Sequence, residues 1–419
     1  MADTTAQRIA VIPGDGIGQD VIEVARGVLD AAGTRHGFRL DYQIYDWSCQ
    51  RFVETGAMMP DDAVEILRGQ DAILLGAVGW PGVPDHVSLW GLLIPIRRAF
   101  RQYANIRPAK GLPGVDGPVR GAERMDLVVV RENVEGEYSE IGGRLNRGYP
   151  DEMAVQESVF TRVGVTRIAR HAFALAQERR GLLTSATKSN GIVHTMPFWD
   201  EVVREVAEDY PDVEWESMHI DALAARVVLD PARFDVIVAS NLFGDVLSDL
   251  TAAVSGSLGV APSANLDPTG QCPSMFEPVH GSAPDIAGQG VANPAAAVWS
   301  AAMMLEHLGH DDAAAEVLRA VEASLADPST RTRDLGGTAS TQEAGAAMID
   351  LLGRSSARSR EGTGHPVGTT AVQTEMSLKQ SGDGEDQTLR GRRQHSRPDH
   401  QLRTESSPRS RSPTPVPGR

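Results

Sequence analysis

The chain has 419 residues, 41% of them hydrophobic, and a formal net charge of −16. That length allows two domains' worth of core, and no apolar run approaches a membrane span. Only Cys49 and Cys272 are present, which excludes a disulfide framework, and neither has a metal-type spacing.

Arg8-Ile-Ala-Val-Ile12 reads as a strand, reached without a charged-then-apolar leader, so a cytoplasmic location is expected. Pro13-Gly-Asp-Gly-Ile-Gly18 follows it and opens into helical spacing from Asp20 to Ala32. Gln19 stands where the dinucleotide fingerprint needs its last glycine, so the loop reads as a tight turn and not a Rossmann loop. Leu40 to Tyr45 and Asp71 to Leu75 are strand-like and flank a helical Asp61 to Arg68.

Three arginines then stand out. Arg97 ends the apolar helical segment Leu92-Leu-Ile-Pro-Ile96, and Arg107 is held extended by Pro108. Arg131 closes the buried strand Leu127 to Val130, so it faces the crevice where open α/β sheets take ligands. Planar guanidiniums pair bidentately with carboxylates, which suits a di- or tricarboxylic acid, although each arginine alone reads equally as a structural ion pair. Tyr138 follows Arg131, and Ser139 to Glu152 is Gly-rich and polar, as a protruding arm would be. Thr166 to Glu178 and Phe198 to Asp209 are helical, on either side of the strand Leu182 to Ser185, which leads to Lys188. A lysine titrates near ~10.4 and serves as a base only where desolvation, arginines or a metal depress it. A surface lysine is the ordinary alternative.

The strand Val236 to Ala239 turns through Asn241-Leu-Phe-Gly244 into a helix, placing Asp245 and Asp249 on one helix face. Carboxylates without thiols or imidazoles suit a hard cation, Mg²⁺ or Mn²⁺; a solvated acidic face is the plain alternative. Further on, the turn His280-Gly-Ser282 offers backbone N–H groups, and Asp285 within reach of a ribose favours NAD over NADP. The alternation of elements predicts an α/β architecture with a largely parallel sheet. From Arg354 onward there are 12 Lys+Arg and 7 Asp+Glu, a net of +5, which leaves −21 on residues 1–353. The tail, residues 354–419, is therefore expected to be a disordered basic segment, and the acidic body a poor nucleic-acid binder.

Together these motifs resemble the β-decarboxylating dehydrogenases that include isocitrate and 3-isopropylmalate dehydrogenases. The similarity runs from Arg8 to about Leu352. It rests on Gly14-Asp-Gly-Ile-Gly18, Arg97, Asn105-Ile-Arg-Pro108, Arg131 to Tyr138, Lys188-Ser-Asn190, Asn241 to Asp249 and His280 to Asp285. Ser88-Leu-Trp-Gly-Leu-Leu93, Gln156 to Arg162 and Leu183 to Asn190 look most like the tartrate dehydrogenase/decarboxylase and D-malate dehydrogenase branch.

The resemblance implies an isopropylmalate-dehydrogenase-like two-domain fold that is not Rossmann. Residues 1–101 and 256–353 would form a discontinuous large domain, and residues 102–255 an inserted dimerisation domain with a β-arm near 139–157. The implied partners are a small dicarboxylic hydroxy acid and a second copy, in a homodimer with shared active sites, with no membrane and no nucleic acid. The implied cofactors are NAD and Mg²⁺ or Mn²⁺, with a K⁺ requirement left open. Arg97, Arg107 and Arg131 would bind substrate, while Asp245, Asp249 and the Asp221 of a second copy would hold the metal. Trp90, Asn190, His280, Gly281, Ser282, Ala283, Asp285 and Asn293 would contact NAD. Lys188 would take the hydroxyl proton, hydride would pass to the nicotinamide, and Tyr138 would protonate the enol after CO₂ leaves. Trp90 falls where isopropylmalate enzymes carry a Glu, and no polar group is set to hold a third carboxylate, so D-malate is expected over isocitrate. The alternatives are 3-isopropylmalate dehydrogenase and, in a different class, a non-catalytic regulatory subunit.

Overall fold

The computed structural model describes residues 6–353 and 368–369. Twelve strands occur among them: β1 Gln7–Gly14, β2 Leu40–Ile44, β3 Ala72–Ala77, β4 Ala104–Lys110, β5 Asp126–Glu132 and β6 Gly142–Leu145. The remainder are β7 Met153–Gln156, β8 Leu182–Thr187, β9 Glu214–His219, β10 Val236–Ala239, β11 Pro262–Leu266 and β12 Ser274–Pro278. Ten of them make one sheet, in the order β2-β1-β3-β12-β11-β4-β5-β10-β8-β9. The strands of residues 1–101 and 256–353 occupy one half of that order, and those of 102–255 the other.

The outer pairings are parallel, as the strand–helix alternation predicts. The centre departs from that expectation: β12–β11, β11–β4 and β4–β5 are antiparallel. The link from β11 to β12 is too short for a crossover helix, so the two strands pair as a hairpin. β11 joins the two halves through β4, with Asn265 opposite Asn105.

Local chemistry sets the ends of the elements. The first helix, Ile17–His36, stops at Gly37 in the left-handed region, whose N–H bonds Gly33 O. Strands β3 and β10 are buried along their whole length, as their unbroken apolar runs require. The segment before Arg97 is not one regular helix: a π-turn spans Leu89–Leu93, and an α-helix continues it as Ile94–Ala99. No loop separates β10 from the helix that follows. Asn241–Val254 begins at Asn241, with Glu137 accepting from the Ser240 hydroxyl at 2.7 Å and the Leu242 N–H at 3.0 Å. A carboxylate there offsets the positive end of the helix dipole.

The expected arm is the exposed hairpin β6–β7, carrying Leu145 and Met153 as a cross-strand pair. Within the tail, Gly368 and Thr369 are described: both are buried, and Thr369 O accepts from His307 Nδ1 at 2.9 Å. The rest of 354–419 lies outside the described residues. Among the described residues no helix is long and apolar enough to cross a membrane.

Candidate active site

In the β4–β5 register Asn105 faces Arg131 and Arg107 faces Val129, so Arg107 and Arg131 emerge on one face of the sheet. The helix Asn241–Val254 crosses that face. A Cβ on Gly244 would lie 2.6 Å from Arg131 Cβ, so only glycine lets the helix approach so closely. The approach delivers Asp245 to both arginines. Its Oδ1 pairs with Arg131 Nη1 and lies 3.3 Å from Arg107 Nη1. Its Oδ2 accepts from the Tyr138 hydroxyl at 2.8 Å. Arg131 is further fixed by Asn241 Oδ1, at 3.0 Å from Nε and 2.7 Å from Nη2. Arg107 donates to Ser248 Oγ at 2.7 Å and reaches Asp249 at 3.6 Å.

Arg97 enters the same cleft from the other half of the sheet. It pairs with Glu277 at 2.7 Å, and Asn265 Nδ2 bonds the same carboxylate oxygen at 2.7 Å. Arg97, Arg107, Arg131, Tyr138 and Asp245 all line one cleft, whose apolar wall includes Leu89 and Leu93. The Nε atoms of Arg97 and Arg107 are buried without a hydrogen-bond partner within the chain.

Electrostatics follow from this crowding. Burial, then the charge of Arg107, pulls the Arg131 guanidinium down to about 9, against the favourable pull of Asp245. Burial raises Asp245, but Arg131, Arg107 and the Tyr138 hydrogen bond outweigh it and leave the carboxyl below its usual range. Asp249 goes the other way: burial and the neighbouring Asp245 charge raise it despite Arg107. Burial and Asp245 push the Tyr138 phenol up to about 12.

Lys188 and Asp221 lie elsewhere. They bond each other at 2.8 Å and neither lines the cleft within one chain. Among the described residues no three carboxylate, imidazole or thiolate groups of a single chain converge as a metal cage. Asp245 and Asp249 fit a hard cation as half of a site, being oxygen donors one helical turn apart with a raised carboxyl that a divalent ion would relieve.

The expected NAD contacts divide. His280 and Gly281 line the cleft, and His280 Nε2 is buried with no partner, so it fits a polar group of a bound cofactor. Ala283 holds a φ of 37°, a strained conformation of the kind that collects at functional turns. Asp285 is exposed, as is Asn190 beside Lys188. The side chains of Ser282 and Asn293, also expected at NAD, make hydrogen bonds within the chain. Ser282 Oγ donates to Gly79 O at 2.5 Å and its carbonyl accepts from Ile17 N at 2.8 Å. Asn293 caps Ala295 N at 3.0 Å and donates to Asp334 at 3.0 Å. Ser282 thereby ties its loop to the Gly14–Gly18 loop, where Gly16, at φ 57°, has no room for a Cβ. Trp90 is half-buried under Arg98 and is not on the cleft wall, which Leu89 and Leu93 supply instead.

Sequence reasoning assigned no role to Glu277, Ser248, Asp15 or Asp334. Glu277 was discoverable, since like Arg131 it is a charged residue near the end of a buried strand. Ser248 is one turn from Asp245. Asp15 accepts from Cys49 N and Gly79 N, both at 3.0 Å, which are contacts between segments far apart in sequence. It lies in the Gly14–Gly18 motif, but these partners are distant in the chain and no local pattern points to them.

Residues 8–349 match the family model described as isocitrate/isopropylmalate dehydrogenase. The D-malate dehydrogenase [decarboxylating] of Escherichia coli (strain K12) is 53% identical over 355 residues, covering 82% of this chain and 98% of that protein. The tartrate dehydrogenase/decarboxylase of Pseudomonas putida is 53% identical over 360 residues, covering 83% and 98%. Among solved structures, an isocitrate dehydrogenase from Methylococcus capsulatus superposes with a TM-score of 0.75 at 34% identity, covering 83% of this chain and 99% of that one.

Proposed function

Because the chain belongs to the isocitrate/isopropylmalate dehydrogenase family, we propose that it oxidises D-malate with NAD to pyruvate and CO₂, accepting tartrate as well. The observation that carries this reading is the convergence of Arg97, Arg107 and Arg131 on one cleft with Tyr138 and Asp245. Three guanidiniums hold the two carboxylates of a small hydroxy acid and exclude uncharged competitors. A bound NAD would supply the hydride acceptor, and a divalent cation held in part by Asp245 and Asp249 would supply Lewis acidity at the substrate's hydroxyl. Tyr138, protonated through the neutral range, delivers the proton that the β-carbon gains as CO₂ leaves.

Lys188 of a second copy of the chain takes the proton of the substrate hydroxyl, and Asp221 of that copy would complete the carboxylates that hold the cation. Exposed Leu242 and Val246 beside Asp245, together with the apolar arm residues Ile141, Leu145 and Tyr149, support a homodimer that covers this face. The acidic, exposed Asp285 supports NAD over NADP.

The wall of Leu89 and Leu93 favours a second reading, a 3-alkylmalate such as 3-isopropylmalate. NAD reduction and CO₂ release with Mn²⁺ separate the two, with D-malate, L-tartrate, 3-isopropylmalate and isocitrate at equal concentration. Fastest turnover of D-malate is expected. A clear preference for 3-isopropylmalate establishes the second reading, and turnover of none refutes both.

A further inference from the structure

We propose that Arg98 is a positioning residue that clamps the apolar cleft wall to the segment carrying Tyr138. It lies one residue beyond Arg97 but takes no part in the anion cluster. Its guanidinium sits over the Trp90 ring with Cζ 5.0 Å from the centroid. Nη2 donates to the Tyr138 carbonyl at 2.9 Å, and Nη1 reaches Glu140 Oε2 at 2.9 Å. A planar fork can do this because its face stacks on an aromatic ring while its N–H groups donate in the plane.

Both ends of this link matter to the cleft. Trp90 belongs to the π-turn Leu89–Leu93, whose two terminal leucines form the apolar wall. A π-turn is an uncommon insertion that needs outside support and is frequent at functional sites. Holding the indole holds the turn, and with it Leu89 and Leu93. At the other end, Arg98 fixes the Tyr138 carbonyl while the Tyr138 hydroxyl reaches Asp245 at 2.8 Å. The tyrosine is thus tethered at both its backbone and its tip. Glu140 is 71% exposed, so that ion pair adds little, and the indole and the carbonyl carry the clamp.

The consequence rests on the function proposed above. On the D-malate reading Leu89 and Leu93 close the cleft against a 3-alkyl group, whereas on the second reading they would receive it. On the former, releasing the clamp displaces Tyr138 and lets the leucines give way, so turnover of the small acid and discrimination against a 3-alkyl group fall together. Substrate affinity is largely kept, because Arg97, Arg107 and Arg131 remain. A residue that merely supported the fold would not separate kcat from KM in this way.

The test is steady-state kinetics of the full chain with NAD and Mn²⁺ on D-malate and 3-isopropylmalate, for wild type, Arg98→Met and Arg98→Lys, with thermal melts alongside. For Arg98→Met, kcat on D-malate should fall about 10-fold with KM within about threefold. The kcat/KM ratio of D-malate to 3-isopropylmalate should fall about fivefold or more. Arg98→Lys, which keeps the charge without the fork, should show the same pattern to a smaller degree. A folded Arg98→Met enzyme with wild-type kcat and ratio overturns the clamp; if that variant does not fold, wild-type values in Arg98→Lys do so. A defect in KM alone also overturns it, by placing Arg98 in the anion cluster. Wild type that oxidises neither acid ends the functional reading and the clamp with it, whereas active wild type with unaffected variants ends only the clamp.

Discussion

Tyr138 and Asp245 are bound to each other and to the arginines so closely that each sets the other's chemistry. With its phenol pushed up to about 12 by burial and Asp245, Tyr138 keeps its proton through the neutral range. Tyr138→Phe removes that proton and should lower kcat about 10²-fold or more, with little change in KM, measured by steady-state NAD reduction. Arg131→Lys keeps a charge but loses the fork that bonds Asn241 twice while pairing with Asp245. Losing a charged hydrogen bond of about 1.5–3 kcal/mol should raise KM for D-malate about 10- to 100-fold. Behind the site, burial pushes the Glu132 carboxyl up to about 7 against Arg167 and the backbone N–H groups it accepts from. Its folded value exceeds its unfolded one, so its contribution to stability is full at acid pH and is lost as pH rises through about 7. Melting temperatures at pH 5 and pH 8 should therefore differ less in Glu132→Gln than in wild type.

At the scale of elements, the helix Asn241–Val254 decides whether the site exists. Its carboxylates reach the arginines only because Gly244 rests against Arg131. Gly244→Val should cost about 1–3 kcal/mol in denaturant unfolding and raise KM for D-malate, since the side chain must push the helix off the arginine. That dependence was half legible. The strand, the helix and the same-face spacing of Asp245 and Asp249 follow from periodicity. The glycine's purpose does not, because its contact is to Arg131, on strand β5 far away in the chain. The π-turn before Arg97 was likewise hidden. Leu-Trp-Gly-Leu-Leu has ordinary helical spacing, and the extra residue in the turn reflects packing that no local pattern encodes.

For the whole molecule, the separation of Lys188 and Asp221 from the cleft is the telling fact. If two copies share each site, mixing inactive Lys188→Met with inactive Asp245→Asn and allowing subunits to exchange should restore about a quarter of wild-type activity, since half the dimers would carry one intact site of two. Persistent inactivity after exchange would refute the sharing of sites between copies.

Sequence alone determined the family, the order of strands and helices, and the residue types of the site. Motifs such as Asn105 to Pro108 and Arg131 to Tyr138 are contiguous, and apolar periodicity is a local property. The tertiary structure decided what local pattern cannot hold. It made the central pairings antiparallel, joined Arg97 on its helix to Glu277 on β12, turned the Ser282 and Asn293 side chains to internal bonds, and set Leu89 and Leu93 rather than Trp90 on the cleft wall. Each of these is a contact between residues distant in the chain, chosen by which buried groups must be satisfied once the layers close, and that choice exists only in three dimensions.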